Sequence, residues 1–275
     1  MSGPRKSRPP TETIHRHGLV TRLTHWLNVL AISVLLLSGL QIFNAHPALY
    51  WGEASRFSDP WIAMTSAERG DDLVGLTQVG GATFETTGLL GASGNERRGF
   101  PAWATLPSYR SLAEGRRWHF FFAWVFALNG LAYLLAGLIG GHVRRDLLPA
   151  KDQLGAKAIA HEIAMHARLQ FPKGEEARRY NLIQKLTYLV VIFVLLPLMV
   201  LTGLSMSPAF GSVGYGLIEL FGGRQSARTL HFISASLITL FVVVHLVMVV
   251  AAGAWNNIRA MITGRFTIEL EGERT

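Results

Sequence analysis

Four long runs of apolar residues, separated by more polar stretches, dominate the chain. They cover residues 24–43, 118–140, 186–206 and 229–252. Each is close to the ~20 residues with which an α-helix crosses the hydrocarbon core of a bilayer. Strands of a membrane β-barrel would be only about ten residues long and would alternate apolar with polar side chains. The pattern therefore predicts an all-α membrane protein, a bundle of four transmembrane helices.

The distribution of Lys and Arg predicts how these helices are oriented. The N-terminal tail, residues 1–23, carries 5 of these residues, the loop 141–185 carries 9, and the tail 253–275 carries 3. The other two connections together hold 9, balanced by 9 acidic residues. Basic residues concentrate on the cytoplasmic side of membrane proteins. We therefore expect both termini and loop 141–185 to be cytoplasmic, and the two remaining loops to face the outside. In the long loop 45–116, Gly, Thr and Pro separate short apolar stretches, which suggests turns and a hairpin.

Composition agrees with a membrane location and narrows the chemistry. With 49% hydrophobic and 16% charged residues, the chain is too apolar for an ordinary soluble domain. Its net charge of +8 is explained by contact with anionic lipid headgroups better than by nucleic acid. Because there are no cysteines, covalently attached c-type haem, cysteine-ligated iron–sulfur clusters and disulfides are excluded.

The fourth apolar segment contains two histidines, His231 and His245. Fourteen helical residues bring them to the same face, about 21 Å apart along the axis, so that one lies near each side of the membrane. Ionisable side chains at membrane depth are costly and usually functional. These two histidines are therefore candidate ligands.

Partners at matching depths occur on the first two segments. His25 starts the first segment on the cytoplasmic side, level with His245, and His119 starts the second on the outer side, level with His231. Two transverse histidine pairs in a helical bundle match the requirement of two non-covalent haems b, each with two imidazole ligands. The pattern predicts an inner and an outer haem.

Two further histidines leave this assignment open. His46 follows the first segment and could replace His119, and His142 follows the second and could replace His25. Histidines at an interface are readily solvated and need no ligand role, so we rank both below the four intramembrane histidines.

Small and basic residues near these histidines also suit a porphyrin. Gly39 lies on the face of His25 at the level of the outer pair, where a flat macrocycle needs room, and Gly130 lies close to the face of His119. Small residues also occur at ordinary helix contacts in membranes. Arginine recognises carboxylates well, and three arginines near the histidines are candidates to bind haem propionates: Arg22, Arg117 and Arg228.

Several motifs resemble a known family, the bacterial cytochrome b561-like membrane subunits. These include the b-type cytochromes of nickel–iron hydrogenases, the formate dehydrogenase gamma subunit and the thiosulfate reductase cytochrome b subunit. The motifs are RLTHWLN in the first segment, RRWHFFFAW in the second, and the spacing from His231 to His245. The resemblance covers roughly residues 15–260.

The resemblance implies an inner haem held by His25 and His245 and an outer haem held by His119 and His231. It implies a place in a bacterial inner membrane, with the long loop 45–116 in the periplasm, and electron relay between the quinone pool and a periplasmic redox enzyme. The long outer loop with GFPAWATLPSYR looks most like the thiosulfate reductase branch, which implies a molybdopterin oxidoreductase as partner. By analogy, quinone would bind near the inner haem, with Asn28 and Lys185 as candidate contacts. The chain is expected to be an electron-transfer subunit.

Two other functions remain as alternatives. A stand-alone quinone-linked cytochrome b561, for example one that oxidises superoxide, would use the same haems without an enzyme partner. A proton-coupled transporter could also use buried histidines, but its spans would be expected to contain acidic residues. None of the four segments has Asp or Glu in its central part, which disfavours the transporter.

Overall fold

A computed structural model describes residues 10–168, 181–207 and 211–269. Parts of the predicted cytoplasmic tails and of the predicted cytoplasmic loop lie outside these described residues. Within them, the α-helices are α1 Leu19–Phe43, α2 Leu112–Ile139, α3 Ala156–Ala167, α4 Leu182–Met206, α5 Gly211–Leu220, α6 Arg224–Ala251 and α7 Ala254–Thr263.

Four of these helices, α1, α2, α4 and α6, are long and apolar enough to cross a membrane. Their most apolar windows have mean hydropathies of 1.9 to 2.6, and only 11 to 22% of the residues in those windows are buried by protein. An apolar surface of this extent is stable only against lipid. The protein is therefore a multi-pass membrane protein, as the four apolar runs predicted.

The helices begin earlier than the apolar runs that predicted them. α1 starts at Leu19 rather than at residue 24, α2 at Leu112 rather than 118, α4 at Leu182 rather than 186, and α6 at Arg224 rather than 229. Hydropathy marks only the part of a helix that lies in hydrocarbon. The backbone can remain helical in the polar interface, where residues such as Glu114 and Arg116 are tolerated.

α4 changes its hydrogen bonding where proline enters it. Residues Val191–Leu195 form a π-helical stretch, and regular α-helix resumes at Leu196 with Pro197 in its first turn. Proline cannot donate the bond that a continuous α-helix needs, and π-helical insertions often absorb such interruptions.

An all-α class is incomplete, because the described residues also contain β-sheets. A four-stranded antiparallel sheet has the order β2-β3-β4-β5, and two-stranded sheets join β6 to β7 and β1 to β8. The strands are β1 Thr11–His15, β2 Ala48–Leu49, β3 Ile62–Arg69, β4 Asp72–Val79, β5 Ala82–Glu85, β6 Ala92–Ser93, β7 Glu96–Arg97 and β8 Arg265–Glu269.

The larger sheet is built on two tight hairpins. Arg69 pairs with Asp72, and Val79 pairs with Ala82, so each turn has only two residues between the strands. Gly70 opens the first turn and Gly80 the second, both with positive φ. Two-residue turns of this kind need backbone conformations that glycine adopts without strain.

The chain divides into two compact units. One comprises Met1–Trp26, Leu131–Val194 and Thr239–Thr275; the other comprises Leu27–Gly130 and Leu195–Ile238. In the second unit, Ala31, Phe122 and Phe126 form a buried cluster. Partly buried residues of α4, Leu196 and Val200, also pack on this cluster. The helix segments of this unit therefore share a core.

The loop between α1 and α2 is fastened to helix ends of the same second unit. Thr229 of α6 donates a 2.7 Å hydrogen bond to the Tyr50 carbonyl, and both residues are buried. Asn44, just after α1, makes two hydrogen bonds with the backbone of Phe100. The base of the loop is thus a lid packed on the helices.

In the first unit, the chain ends are joined by the β1–β8 sheet, in which Thr11 pairs with Glu269 and His15 with Arg265. The α7 helix lies against the start of α1. Trp26 donates its indole N–H to the Met261 carbonyl over 3.1 Å, and Arg22 hydrogen-bonds to the Ile262 carbonyl.

Candidate functional site

The four intramembrane histidines form two facing pairs. In the first unit, the ring centroids of His25 and His245 lie 6.4 Å apart, with an interplanar angle of 59°. In the second unit, those of His119 and His231 lie 6.3 Å apart at 63°. An iron bonded to one nitrogen of each ring at the ~2 Å typical of metal–histidine bonds would hold the centroids roughly 6 Å apart. Both pairs fit that separation.

The pairs do not resemble a site for a small metal ion. Among residues 10–168, 181–207 and 211–269, no group of three or more His, Cys, Asp or Glu side chains is placed to hold a metal. Zinc requires at least three protein ligands at one point. Two opposed imidazoles instead suit a metal whose remaining positions are filled by a macrocycle, as in haem.

His119, on α2, rests against a hydroxyl and a glycine of α1. The Ser38 hydroxyl donates to the Val34 carbonyl over 2.6 Å, and its oxygen lies 3.1 Å from His119 Nδ1. With the hydroxyl proton directed at the Val34 carbonyl, the oxygen accepts from the ring N–H, and the Leu35 backbone is a second hydrogen-bond partner of His119. His119 is then protonated on Nδ1, and Nε2 keeps the lone pair that a metal requires.

Gly39, the next residue on α1, makes room for the His119 ring. A Cβ at this position would lie 3.2 Å from His119 Cε1. The sequence predicted that Gly39 leaves space for the porphyrin. The contact found is with the imidazole ring itself, while a Cβ on Gly130 would meet nothing within 4 Å.

His231, on α6, makes the corresponding contacts with a hydroxyl and a glycine of α4. The Thr202 hydroxyl donates to the Leu198 carbonyl over 2.6 Å, and its oxygen lies 2.9 Å from His231 Nδ1. The same argument gives His231 a proton on Nδ1 and a free lone pair on Nε2. A Cβ on Gly203, the next residue, would lie 3.4 Å from His231 Cε1.

These contacts reveal an internal repeat that the sequence reasoning missed. Leu-Ser-Gly-Leu at 37–40 matches Leu-Thr-Gly-Leu at 201–204. Arg-x-x-His-Phe occurs both at 116–120 and at 228–232. In each half, the hydroxyl lies within hydrogen-bond distance of the histidine of one Arg-x-x-His-Phe motif, and the adjacent glycine leaves room for its ring. The His119–His231 site is therefore assembled from two similar halves, and a search for internal repeats would have identified Thr202 and Gly203.

The His25–His245 pair has different surroundings. Trp26 meets the His25 ring edge-on with a centroid distance of 5.3 Å, and Phe241 stacks on His245 at 5.8 Å. His25 Nδ1 is buried and has no hydrogen-bond partner within the described part of the chain. Each ring of this pair therefore contacts an aromatic side chain. Among the described residues, no hydroxyl group bonds to His25 Nδ1 as Ser38 does to His119.

The two competing histidines have partners elsewhere. His46 Nε2 lies 3.1 Å from the Tyr50 hydroxyl, and the two rings stack. Burial, followed by the nearby Arg228 guanidinium, lowers the pKa of His46. His142 Nδ1 lies 2.7 Å from the Asp146 carboxylate. Neither contact places His46 or His142 opposite another histidine, so both stay ranked below the four paired histidines.

The predicted propionate-binding arginines are found in three different settings. Arg228 hydrogen-bonds to the His46 carbonyl, and its guanidinium lies 5.2 Å from the centre of the Phe43 ring. Arg22 bonds the Ile262 carbonyl, and its Nε is buried with no partner among the described residues. Arg117 is exposed beside Trp118 and Phe121.

A comparison with known families decides the class of protein. The family model for prokaryotic cytochrome b561 matches residues 16–264. The chain belongs to the prokaryotic cytochrome b561 family. Members are membrane cytochromes b of electron transport, and the family implies haem b. The two facing histidine pairs are suited to that group, which the cysteine-free chain could bind only without covalent attachment.

The chain is also similar to a curated protein of the same length class. A protein of Azospira oryzae, assigned as subunit YedZ1 of a protein-methionine-sulfoxide reductase, is 27% identical over 246 residues. The alignment covers 88% of this chain and 93% of the relative. No solved structure is detectably similar to the chain.

Proposed function

We propose that this chain is the di-haem membrane subunit of an oxidoreductase complex and carries electrons between the quinone pool and a periplasmic redox enzyme. The observation that carries the proposal is the pair of histidine sites, with centroid separations of 6.4 Å and 6.3 Å, in a chain of the cytochrome b561 family. We name the His25–His245 pair the inner site and the His119–His231 pair the outer site.

Each site would hold one haem b through its two imidazoles. At the outer site, Ser38 and Thr202 favour the ring tautomer that leaves Nε2 free to bind iron. Haem b, when bound, supplies exchange of a single electron at its iron. Both haem propionates carry charge, and Arg22, Arg117 and Arg228 are proposed as their cationic partners.

The basic residues support the orientation proposed for the membrane. All five lysines fall in residues 1–23 and 141–185, on the side proposed to be cytoplasmic. Residues 24–252 would form the di-haem membrane domain, and residues 253–275 a cytoplasmic tail. The inner site then lies toward the cytoplasm, and the loop 45–116 faces the periplasm.

The partner is proposed to be a periplasmic molybdopterin oxidoreductase. The loop between α1 and α2 is packed on the helices at its base, yet Phe57 and Trp103 are each 77% exposed. Exposed aromatic side chains on a folded segment suit binding to another protein. The relative's name makes protein methionine sulfoxide the first candidate substrate of the complex, and thiosulfate remains the second.

Quinone is proposed as the redox partner on the inner side. Asn28 and Lys185, the contacts suggested by analogy, are already hydrogen-bonded: Asn129 donates to Asn28 over 2.8 Å, and Lys185 donates to the Leu148 carbonyl over 3.2 Å. Neither bond favours a quinone contact. We expect Asn28→Ala and Lys185→Met to leave quinol-driven haem reduction within twofold of wild type; a larger loss in either variant would instead support direct binding of quinone by that residue.

The decisive functional test is electron entry in a purified, haem-loaded protein. In lipid nanodiscs, a reduced short-chain quinol should reduce the haem within seconds, as followed by the visible α-band. Superoxide supplied in place of quinol should not. Reduction by superoxide alone would favour the stand-alone cytochrome, and failure of every quinol to reduce the haem would refute the proposed link to the quinone pool.

A further inference from the structure

The two sites differ in what lies behind their imidazoles. At the outer site, both rings contact hydroxyl oxygens whose own protons are already donated to helix carbonyls. At the inner site, His25 Nδ1 is buried with no partner among the described residues. The imidazoles proposed to bind the two haems therefore differ in basicity, because those of the outer site have hydrogen-bond acceptors at Nδ1 and His25 has none among the described residues.

We propose that Ser38 and Thr202 are positioning residues that set the redox potential of the outer haem independently of the inner haem. This inference rests on the proposed function. A ring that donates its Nδ1–H to an acceptor gains imidazolate character and becomes a stronger electron donor to its metal. Stronger donation favours the oxidised iron, so these hydroxyls hold the outer potential lower than unassisted imidazoles would.

The Ser38 and Thr202 hydroxyls are held in fixed positions, so their effect on redox potential should be confined to the outer haem. Ser38 and Thr202 have no exposed surface, and each hydroxyl is anchored to the carbonyl four residues earlier on its helix. Gly39 and Gly203 bring the ring carbons close to the same helices. Each hydroxyl thus faces one imidazole in one orientation.

The test is a redox titration of purified protein carrying Ser38→Ala or Thr202→Val, together with a matched control. Ser33→Ala removes a hydroxyl of α1 that donates to the Val29 carbonyl over 2.7 Å and forms no hydrogen bond to a histidine among the described residues. We expect two haems per chain in all three variants. In the Ser38 and Thr202 variants, one of the two potentials should move to more positive values, and in Ser33→Ala neither should move. In a His245→Ala background, which should lack the inner haem, the one remaining redox potential should be the one that the Ser38 and Thr202 substitutions shift.

Conservative substitutions separate the hydroxyl from simple packing. Ser38→Thr and Thr202→Ser retain the oxygen, and we expect wild-type potentials in both. If Thr202→Val instead loses the outer haem, restoration of two haems per chain in Thr202→Ser supports a positioning hydroxyl, and failure to restore it overturns the proposal. Unchanged potentials in both Ser38→Ala and Thr202→Val, with haem retained, would also overturn it. Wild-type protein without haem would refute the proposed function instead.

Discussion

Replacing Gly39 by alanine tests whether the outer site depends on close contact between α1 and the His119 ring. The added Cβ would lie 3.2 Å from His119 Cε1, whereas carbon atoms in contact are about 3.5–4.0 Å apart. The ring must therefore move by at least about 0.3 Å, away from the Ser38 oxygen that lies 3.1 Å from its Nδ1. That shift uses more than half of the about 0.5 Å within which a binding site must be held, so alanine should weaken the site and the larger valine should exceed the limit.

The effect on stability should be small while the effect on the cofactor is large. Alanine gains about 1 kcal/mol over glycine in a helix, and overpacking costs about 1–3 kcal/mol, so the net change is at most about 2 kcal/mol. We expect Gly39→Ala to lower haem occupancy of the outer site and Gly39→Val to reduce the protein to about one haem per chain.

Gly130→Ala is the matched control, because a Cβ there meets no atom within 4 Å. Haem per chain is measured as the pyridine haemochrome and compared with the melting temperature of each variant. Full haem content and an unchanged spectrum in Gly39→Val would refute this reasoning, as would equal haem loss in Gly130→Ala.

Two further predictions concern parts of the chain outside the membrane. Arg98 is 4% exposed and donates hydrogen bonds to Phe100, Ser108, Thr105 and Glu96. Because lysine cannot reproduce this planar set of donors, Arg98→Lys should raise the rate of limited proteolysis in the loop between α1 and α2 at least tenfold. An unchanged rate of proteolysis would contradict this. Burial, followed by Arg16 and nearby histidines, lowers the pKa of His17 to about 4. The unfolded state therefore binds more protons between pH 6.5 and 4, and the protection factors for hydrogen exchange in the β1–β8 sheet, corrected for the intrinsic pH dependence of exchange, should decrease as the pH falls through this window. His17→Gln should flatten that dependence, and an identical pH profile in the variant would exclude His17 as its source.

The membrane helices could be predicted because their signal is long and continuous. Runs of about twenty apolar residues leave little choice in a bilayer, and helical periodicity brought His231 and His245 to one face. The starts of the helices were wrong by five or six residues in three cases, because α1, α2 and α6 continue into the polar interface where hydropathy carries no signal.

The hydroxyl and glycine residues that contact the outer histidines could not be predicted from ligand chemistry. Thr202 and Gly203 lie on α4, which contributes no histidine, and an intrahelical threonine hydroxyl gives no sign in the sequence of which neighbour it meets. Gly39 was singled out, but its contact with the imidazole required the packing of α1 against α2 to be known. The hairpin suggested for the loop is found as β4 and β5, with Gly80 and Gly81 in its turn, whereas the remaining strands of the loop were not predicted.

We propose that one chain binds two haems b through two separate histidine pairs. This is tested by the dithionite-reduced visible spectrum, with haem quantified per chain, in wild type, His245→Ala and His231→Ala. We expect two haems b in wild type and about one in each variant. Well-folded wild-type protein without haem, or either single variant that retains both haems, would contradict it.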